Sequence, residues 1–162
     1  SQRVDMLPKT ILEYLTYLNS AYFVRRIRPM DIQGKKQFQI GEKYYFEDLG
    51  IRNAIRPFRA TDIGQVLENV VCHHLLVCGY ALYIGRDGDK EVDFVAERNG
   101  EKLYVQVAYS VIDPKTHERE FGNLLAIQDN YPKIVVTMDE VEGVSYQGIE
   151  QVPVRKFLLR WK

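Results

Sequence analysis

Apolar residues at Leu7, Ile11, Tyr14, Leu15 and Leu18 recur at helical spacing and predict a helix over residues 7–18, with Pro8 in its first turn. After Asn19-Ser20 the pattern turns extended. Ala21-Tyr22-Phe23-Val24 leads into the basic Arg25-Arg26-Ile27-Arg28, a turn-like Asp31-Ile32-Gln33-Gly34-Lys35-Lys36 follows, and a second extended run covers residues 37–46. Asp48 to Asn53 reads as a short helix or turn, and residues 55–60, with Pro57, as a linker. Thr61 or Asp62 caps the next helix, over residues 63–77. Its apolar face carries Ile63, Val66, Leu67, Val70, Val71, His74 and Leu75, and Cys78-Gly79-Tyr80 ends it.

Strands follow at residues 81–84, 91–96 and 102–109, with a turn over residues 85–90. Asn99-Gly100 marks a tight hairpin, because both residues tolerate positive φ. Asp113 caps a helix that begins at Pro114 and runs to about residue 128, broken by Asn130-Tyr131-Pro132. Residues 133–137 form a buried strand, and residues 148–152 a short one before a segment ending at Trp161. The order after residue 60 is therefore helix, three strands, helix, strand, an α/β class. The first third, a helix and a two-stranded wing with basic flanks, matches the back half of a winged helix. Such a piece buries little by itself, so it is expected to pack on the rest of the chain and to belong to something longer.

With 46% hydrophobic and 12% aromatic residues among 162, the chain has a folded protein's composition. It shows no membrane-length apolar run and no signal peptide, which points to a cytoplasmic protein with no membrane partner. Cys72 and Cys78 fall on different sides of one helix and are expected to be reduced. The zero net charge hides an asymmetry: residues 1–59 carry 11 Lys and Arg against 6 Asp and Glu, and the remainder is acidic. Arg25, Arg26, Arg28, Lys35 and Lys36 are therefore the candidate nucleic-acid contacts, since phosphate contacts supply sequence-independent affinity. Cys72, His73, His74 and Cys78 invite a zinc assignment, but only His74 and Cys78 lie one turn apart. A core histidine at His74 is the simpler expectation.

Alternation places Leu103, Val105 and Val107 on one face of the third strand and Lys102, Tyr104, Gln106 and Ala108 on the other. The hairpin register brings Asp93 beside Gln106. Glu68, at the rim of the preceding helix, can reach the same sheet. Oxygen ligands of this kind suit Mg²⁺ or Mn²⁺, so Glu68, Asp93 and Gln106 are the candidate metal and catalytic residues. An aspartate on an apolar strand also needs a partner, whether Arg119, a backbone amide or a metal.

Gly64-Gln65-x-x-Glu68-Asn69, Gly79-Tyr80, Glu91-Val92-Asp93-Phe94-Val95, Gln106-Val107-Ala108-Tyr109, Arg119-Glu120 and Asp129-Asn130-Tyr131-Pro132-Lys133 resemble a C-terminal domain of unknown function from prokaryotic AAA-type ATPases. The resemblance runs from about residue 10 to residue 159. It implies a truncated winged-helix-like segment over residues 1–60 and a PD-(D/E)xK, restriction endonuclease-like α-β-β-β-α-β core over residues 61–162. It also implies an upstream ATPase module, and ATP would bind there, because this chain has no phosphate-cradling G-x-x-x-x-G-K-[ST] motif.

By position, Glu68 matches the family's helix acid and Asp93 its essential aspartate. Gln106 stands where such nucleases have an acid and Ala108 where they have the lysine. In the working enzymes the metal activates water and the lysine stabilises developing charge, and losing one such donor costs on the order of 10²–10³ in rate. Lys102 lies roughly 20 Å along the strand from position 108, at ~3.3 Å per residue, which leaves Lys90 and Lys115 as substitutes. The leading expectation is a catalytically degenerate accessory domain that binds nucleic acid or a protein partner. The alternatives are a Mg²⁺- or Mn²⁺-dependent DNA endonuclease and a protein-interaction or sensor platform.

Overall fold

Leu103 and Val105 on one side of their strand, and Tyr104 and Gln106 on the other, are all buried, so the sheet they belong to is covered on both faces. The structure, a computed structural model, describes residues 8–34 and 41–160. Lys35, Lys36, the start of the second extended run and Trp161 lie outside the described residues. The elements are α1 (Pro8–Ser20), β1 (Val24–Asp31), β2 (Lys43–Phe46), α2 (Leu49–Ile55), a 3₁₀ turn (Ala60–Asp62), α3 (Ile63–Val77), β3 (Ala81–Asp87), β4 (Lys90–Arg98), β5 (Glu101–Val107), α4 (Pro114–Leu125), β6 (Lys133–Thr137), β7 (Ser145–Tyr146), β8 (Ile149–Pro153) and α5 (Val154–Arg160).

Eight strands form one mixed sheet in the order β2-β1-β3-β4-β5-β6-β8-β7. The strand expected at residues 21–24 instead starts at Val24 and carries the arginine run. Its first half pairs antiparallel with β2, from Val24↔Phe46 to Ile27↔Lys43. Its second half pairs parallel with β3, from Arg28↔Tyr83 to Asp31↔Arg86. Strands from both sides of residue 60 thus share one sheet. β3, β4 and β5 form an antiparallel meander, and β6 and β8 extend it in parallel from β5.

Helices α3 and α5 cover one face, where Leu67, Val71, Cys72, Leu75 and Phe157 meet Phe94, Val105 and Val136. Helix α4 covers the other, with Phe121 and Leu124 against Val92, Tyr104 and Val135. On α3 the buried stripe is centred on Val71, Cys72 and Leu75, so His74 lies at its flank, half-buried, with its ring edge-on to Phe157 at 5.2 Å. Neither Cys72 nor Cys78 is in a disulfide, in line with their places on different sides of α3. Asp113 caps α4 as expected, its carboxylate accepting from the Thr116 N–H at 2.9 Å. No described helix is long and apolar enough to cross a membrane.

The β3–β4 pair is irregular near Asp93. Tyr83 pairs with Val95 but Gly85 pairs with Val92, so β4 carries one extra residue opposite Ile84, a bulge at Asp93-Phe94. A Cβ at Gly85 would come within 2.9 Å of Val95 Cγ2 and 3.0 Å of Ile32 Cδ1. The substitution Gly85→Ala is accordingly expected to cost about 1–3 kcal/mol through overpacking. A urea midpoint equal to that of the parent would show that the sheet yields there instead.

At the sheet's first edge, Asn69 of α3 accepts from the Phe46 N–H and donates to the Phe46 carbonyl, both at 2.9 Å. Its amide acts as a one-residue strand neighbour for β2.

Candidate functional site: a lysine among three carboxylates

Strand β2 places Lys43 and Tyr45 two residues apart, hence on one face. Strand β4 does the same for Glu91 and Asp93, and Glu68 reaches down from α3. The Lys43 ammonium joins them: its Nζ lies 2.8 Å from Glu68 Oε1, 2.8 Å from Glu91 Oε1 and 3.3 Å from Asp93 Oδ1. Tyr45 donates its hydroxyl to Glu68 Oε1, and Arg86 of β3 pairs with Glu91 at 2.6 Å. Three carboxylates and two cations therefore meet where the hairpin, α3 and the β4 bulge converge.

The β4–β5 ladder has its last register pair, toward this end, at Phe94↔Val105. Past that pair the two strands' free backbone groups are bridged by side chains. Asp93 Oδ2 accepts from the Val107 N–H at 2.9 Å, and the Asp93 N–H donates to Gln106 Oε1 at 3.3 Å. The bulge turns the Asp93 carboxylate toward Lys43 and Glu68, on the α3 side. Gln106 faces α4, where its amide donates to Glu120 Oε2 at 2.7 Å and Glu120 is held in turn by Arg119. The structure thus brings Glu68 and Asp93 together and commits Gln106 to a separate buried pair with Glu120. Asp93 has found two of the partner types expected for it, a backbone amide and a cation, but the cation is Lys43, and Arg119 serves Glu120.

Burial and the neighbouring Glu68 charge push the Asp93 carboxyl up, to about 7, against the opposing pull of Lys43 and the Val107 N–H. Burial alone would lower the Lys43 ammonium, yet the charges of Asp93 and Glu68 hold it above its ordinary range. The Tyr45 hydroxyl is raised by burial and then by Glu68, so it stays a donor.

A hard divalent ion needs several oxygens directed at one point. Here the Glu68 and Asp93 oxygens converge on an ammonium, and the Gln106 oxygen is bonded to the Asp93 N–H. Among the described residues no group of three or more His, Cys, Asp or Glu side chains is arranged to hold a metal ion. The residues present do not fit a Mg²⁺ or Mn²⁺ centre while Lys43 stands among them.

The candidate substitutes for the missing lysine, Lys90 and Lys115, are exposed, and Lys102, excluded by its distance along the strand, pairs with Glu97 at 3.3 Å. The lysine that arrives, Lys43, is not among them. Its only signal in sequence is its place two residues before Tyr45 in the run Lys43-Tyr44-Tyr45-Phe46, which makes it share an inward face. Among the basic candidates, Arg25 pairs with Glu47 at 2.8 Å and Arg26 lies 3.9 Å from Glu42, while Arg28 is exposed. His74 Nε2 lies 3.6 Å from Cys78 Sγ.

Comparison with known proteins finds a family described as a domain of unknown function, DUF4143, that matches residues 63–157. An uncharacterized protein of Haemophilus influenzae is 37% identical over 160 residues, which is 99% of this chain and 39% of that protein. The chain therefore spans about two fifths of the relative's length. No solved structure matches.

Proposed function

The chain belongs to the DUF4143 family of unknown function, and from that premise we propose that it is the accessory module of a longer AAA-type ATPase polypeptide, binding nucleic acid without cutting it. The core is proposed as PD-(D/E)xK-like, a reading supported by the order α3-β3-β4-β5-α4-β6 and by Asp93 at the β4 bulge. The segment before it is proposed as a winged-helix remnant, supported by α1 followed by the antiparallel pair β1 and β2. ATP binding and hydrolysis are assigned to the remainder of the polypeptide.

The observation that carries the non-cutting reading is the Lys43 ammonium bonded to Glu68, Glu91 and Asp93. A tethered monovalent cation neutralises carboxylates without activating water as a metal does. Anisotropy with duplex and branched DNA at two salt concentrations, beside plasmid cleavage with Mg²⁺ or Mn²⁺, tests both halves. Salt-sensitive binding and intact plasmid are the expected result. Absence of salt-sensitive binding to any nucleic acid would overturn the binding half and leave a protein-interaction platform.

A second reading is favoured by the 3.3 Å separation of Lys43 and Asp93. In it Lys43 supplies the lysine absent at Ala108, and Glu68 and Asp93 would hold the metal of an endonuclease only with the ammonium withdrawn from between them. Cleavage that is lost in both Asp93→Ala and Lys43→Met would establish that reading in place of the first.

A further inference from the structure

Residues 49–61 contain three arginines and no acidic residue, and they form α2 and the loop that leads to α3. Arg52 is buried and donates to Asp62 Oδ2 at 3.1 Å, while Arg56 lies 3.5 Å from Asp62 Oδ1. Both oxygens of Asp62, at the far end of the loop, are thus taken by arginines at its near end, which ties the two ends together. Between them the loop points outward. Phe58 is 50% exposed, and the Arg56 side chain 57%. Arg59 is exposed as well, and no ion pair is made by it among the described residues. A half-exposed aromatic ring between two solvent-facing guanidinium groups is costly to leave in water and well suited to a ligand with a flat face and negative charge.

Arg52 and Gln65, which stand on either side of the loop in the chain, both line a pocket of about 390 Å³ whose other walls include Tyr44, Tyr45, Phe46 and Asn69. The cations at this pocket are already spent, Lys43 on three carboxylates and Arg52 on Asp62. What the pocket offers is aromatic surface and the Gln65 amide, which suits a neutral base better than a phosphate.

We propose that the Arg56–Arg59 loop, together with the pocket lined by Arg52 and Gln65 on either side of it in the chain, forms a binding site for single-stranded nucleic acid. Arg56 and Arg59 meet backbone phosphates, Phe58 stacks on one base, and the pocket admits its neighbour. An unpaired strand is specified because a duplex keeps its base faces stacked and hidden, whereas stacking on an aromatic side chain requires a free one. The inference deepens the nucleic-acid reading above and rests on it. It also moves the contact away from β1, where Arg25 has Glu47 at 2.8 Å, to a loop where Arg52 and Arg56 share the single Asp62 carboxylate and leave a net positive charge.

The test uses the 162-residue chain, a labelled oligothymidylate of about 15 nucleotides, in the range that such surfaces occupy, and a duplex of similar length. Anisotropy titrations across a salt series are compared for the parent, Arg59→Gln and Phe58→Leu, with thermal unfolding as a control. Both positions are exposed, so midpoints equal to the parent's are expected. Arg59→Gln should flatten the logarithmic salt slope by about 0.7, the value of one single-strand phosphate contact. Phe58→Leu should weaken oligothymidylate binding about tenfold and leave the slope unchanged. Parent-like binding by both variants would place the contact elsewhere and overturn this site while the nucleic-acid reading stands. A lowered slope with no effect of Phe58→Leu would reduce the loop to a general polyanion contact and overturn the single-strand assignment. No salt-sensitive binding to either probe would remove both proposals.

Discussion

Lys43→Met is expected to lower stability by about 2–4 kcal/mol near neutral pH, one of the largest effects of any single polar substitution in this chain. Removing one partner of a fully buried ion pair costs about 3–5 kcal/mol. The loss is smaller here because the Lys43 side chain is 29% exposed and solvent screens part of the interaction. Methionine keeps the apolar stem and removes only the charge, leaving Glu68, Glu91 and Asp93 facing one another.

The deficit should depend on pH with a definite sign. In the parent, the Asp93 carboxyl already sits at about 7, above its ordinary value. The raised group adds stability that is complete below its unfolded pKa and is lost as pH rises through the folded one. Without Lys43 the carboxyl rises further, so the variant's deficit grows between about pH 5 and pH 8 and shrinks in acid. Urea unfolding at those two pH values measures it. A deficit that does not change with pH would mean that Lys43 contributes packing and not charge.

Gln106→Glu, which restores the acid expected from nuclease motifs, is expected to destabilise the fold by about 2–4 kcal/mol at neutral pH. Gln106 donates to Glu120 at 2.7 Å, and both residues are buried. Replacing that donor with a carboxylate sets two acids against each other with one arginine, Arg119, beside them. One of the two must then hold a proton. Its pKa rises, and the lost stability returns as pH falls toward about 5. A deficit relative to the parent that is the same at about pH 5 and pH 8 would show that the glutamate turns away from Glu120. A position that resembles a lost catalytic acid therefore holds a glutamine for a present structural reason: Glu120 accepts a hydrogen bond there.

The parts legible in the sequence are those governed by local rules. Helix α3, the β4–β5 hairpin with Asn99-Gly100 at its turn, and the Asp113-Pro114 start of α4 follow from capping, periodicity and turn chemistry. Those rules act over a few residues. The alternation that puts Leu103 and Val105 opposite Tyr104 and Gln106 is legible for the same reason, and it places Asp93 beside Gln106. Lys43 is not legible, because it meets Glu68 and Asp93 across separations of 25 and 50 residues. No local pattern encodes the handover of β1 from β2 to β3, on which that meeting depends. The turn of Asp93 away from the Gln106 side is hidden too, since it follows from one extra residue in β4 that shows only in the pairing with β3. Glycine at position 85 suggests a turn, whereas it lies within β3 and is a glycine there because the neighbouring Val92, Val95 and Ile32 leave no room for a Cβ.

The Asn69 amide bonded to both backbone groups of Phe46 has a consequence for how copies of this chain behave in a crowd. A sheet edge with free N–H and C=O groups is a template on which a foreign strand can grow, and edge-to-edge growth is a common route to aggregation. Strand β2 is four residues long, and its Phe46 groups are bonded by Asn69, with His73 Nε2 also 2.6 Å from the Phe46 carbonyl. Strand β7, at the far side, has two residues. Among the described residues a wide sheet thus ends at both borders in strands too short or too occupied to offer much free edge, the arrangement expected of a module built around eight strands that stays apart from its copies.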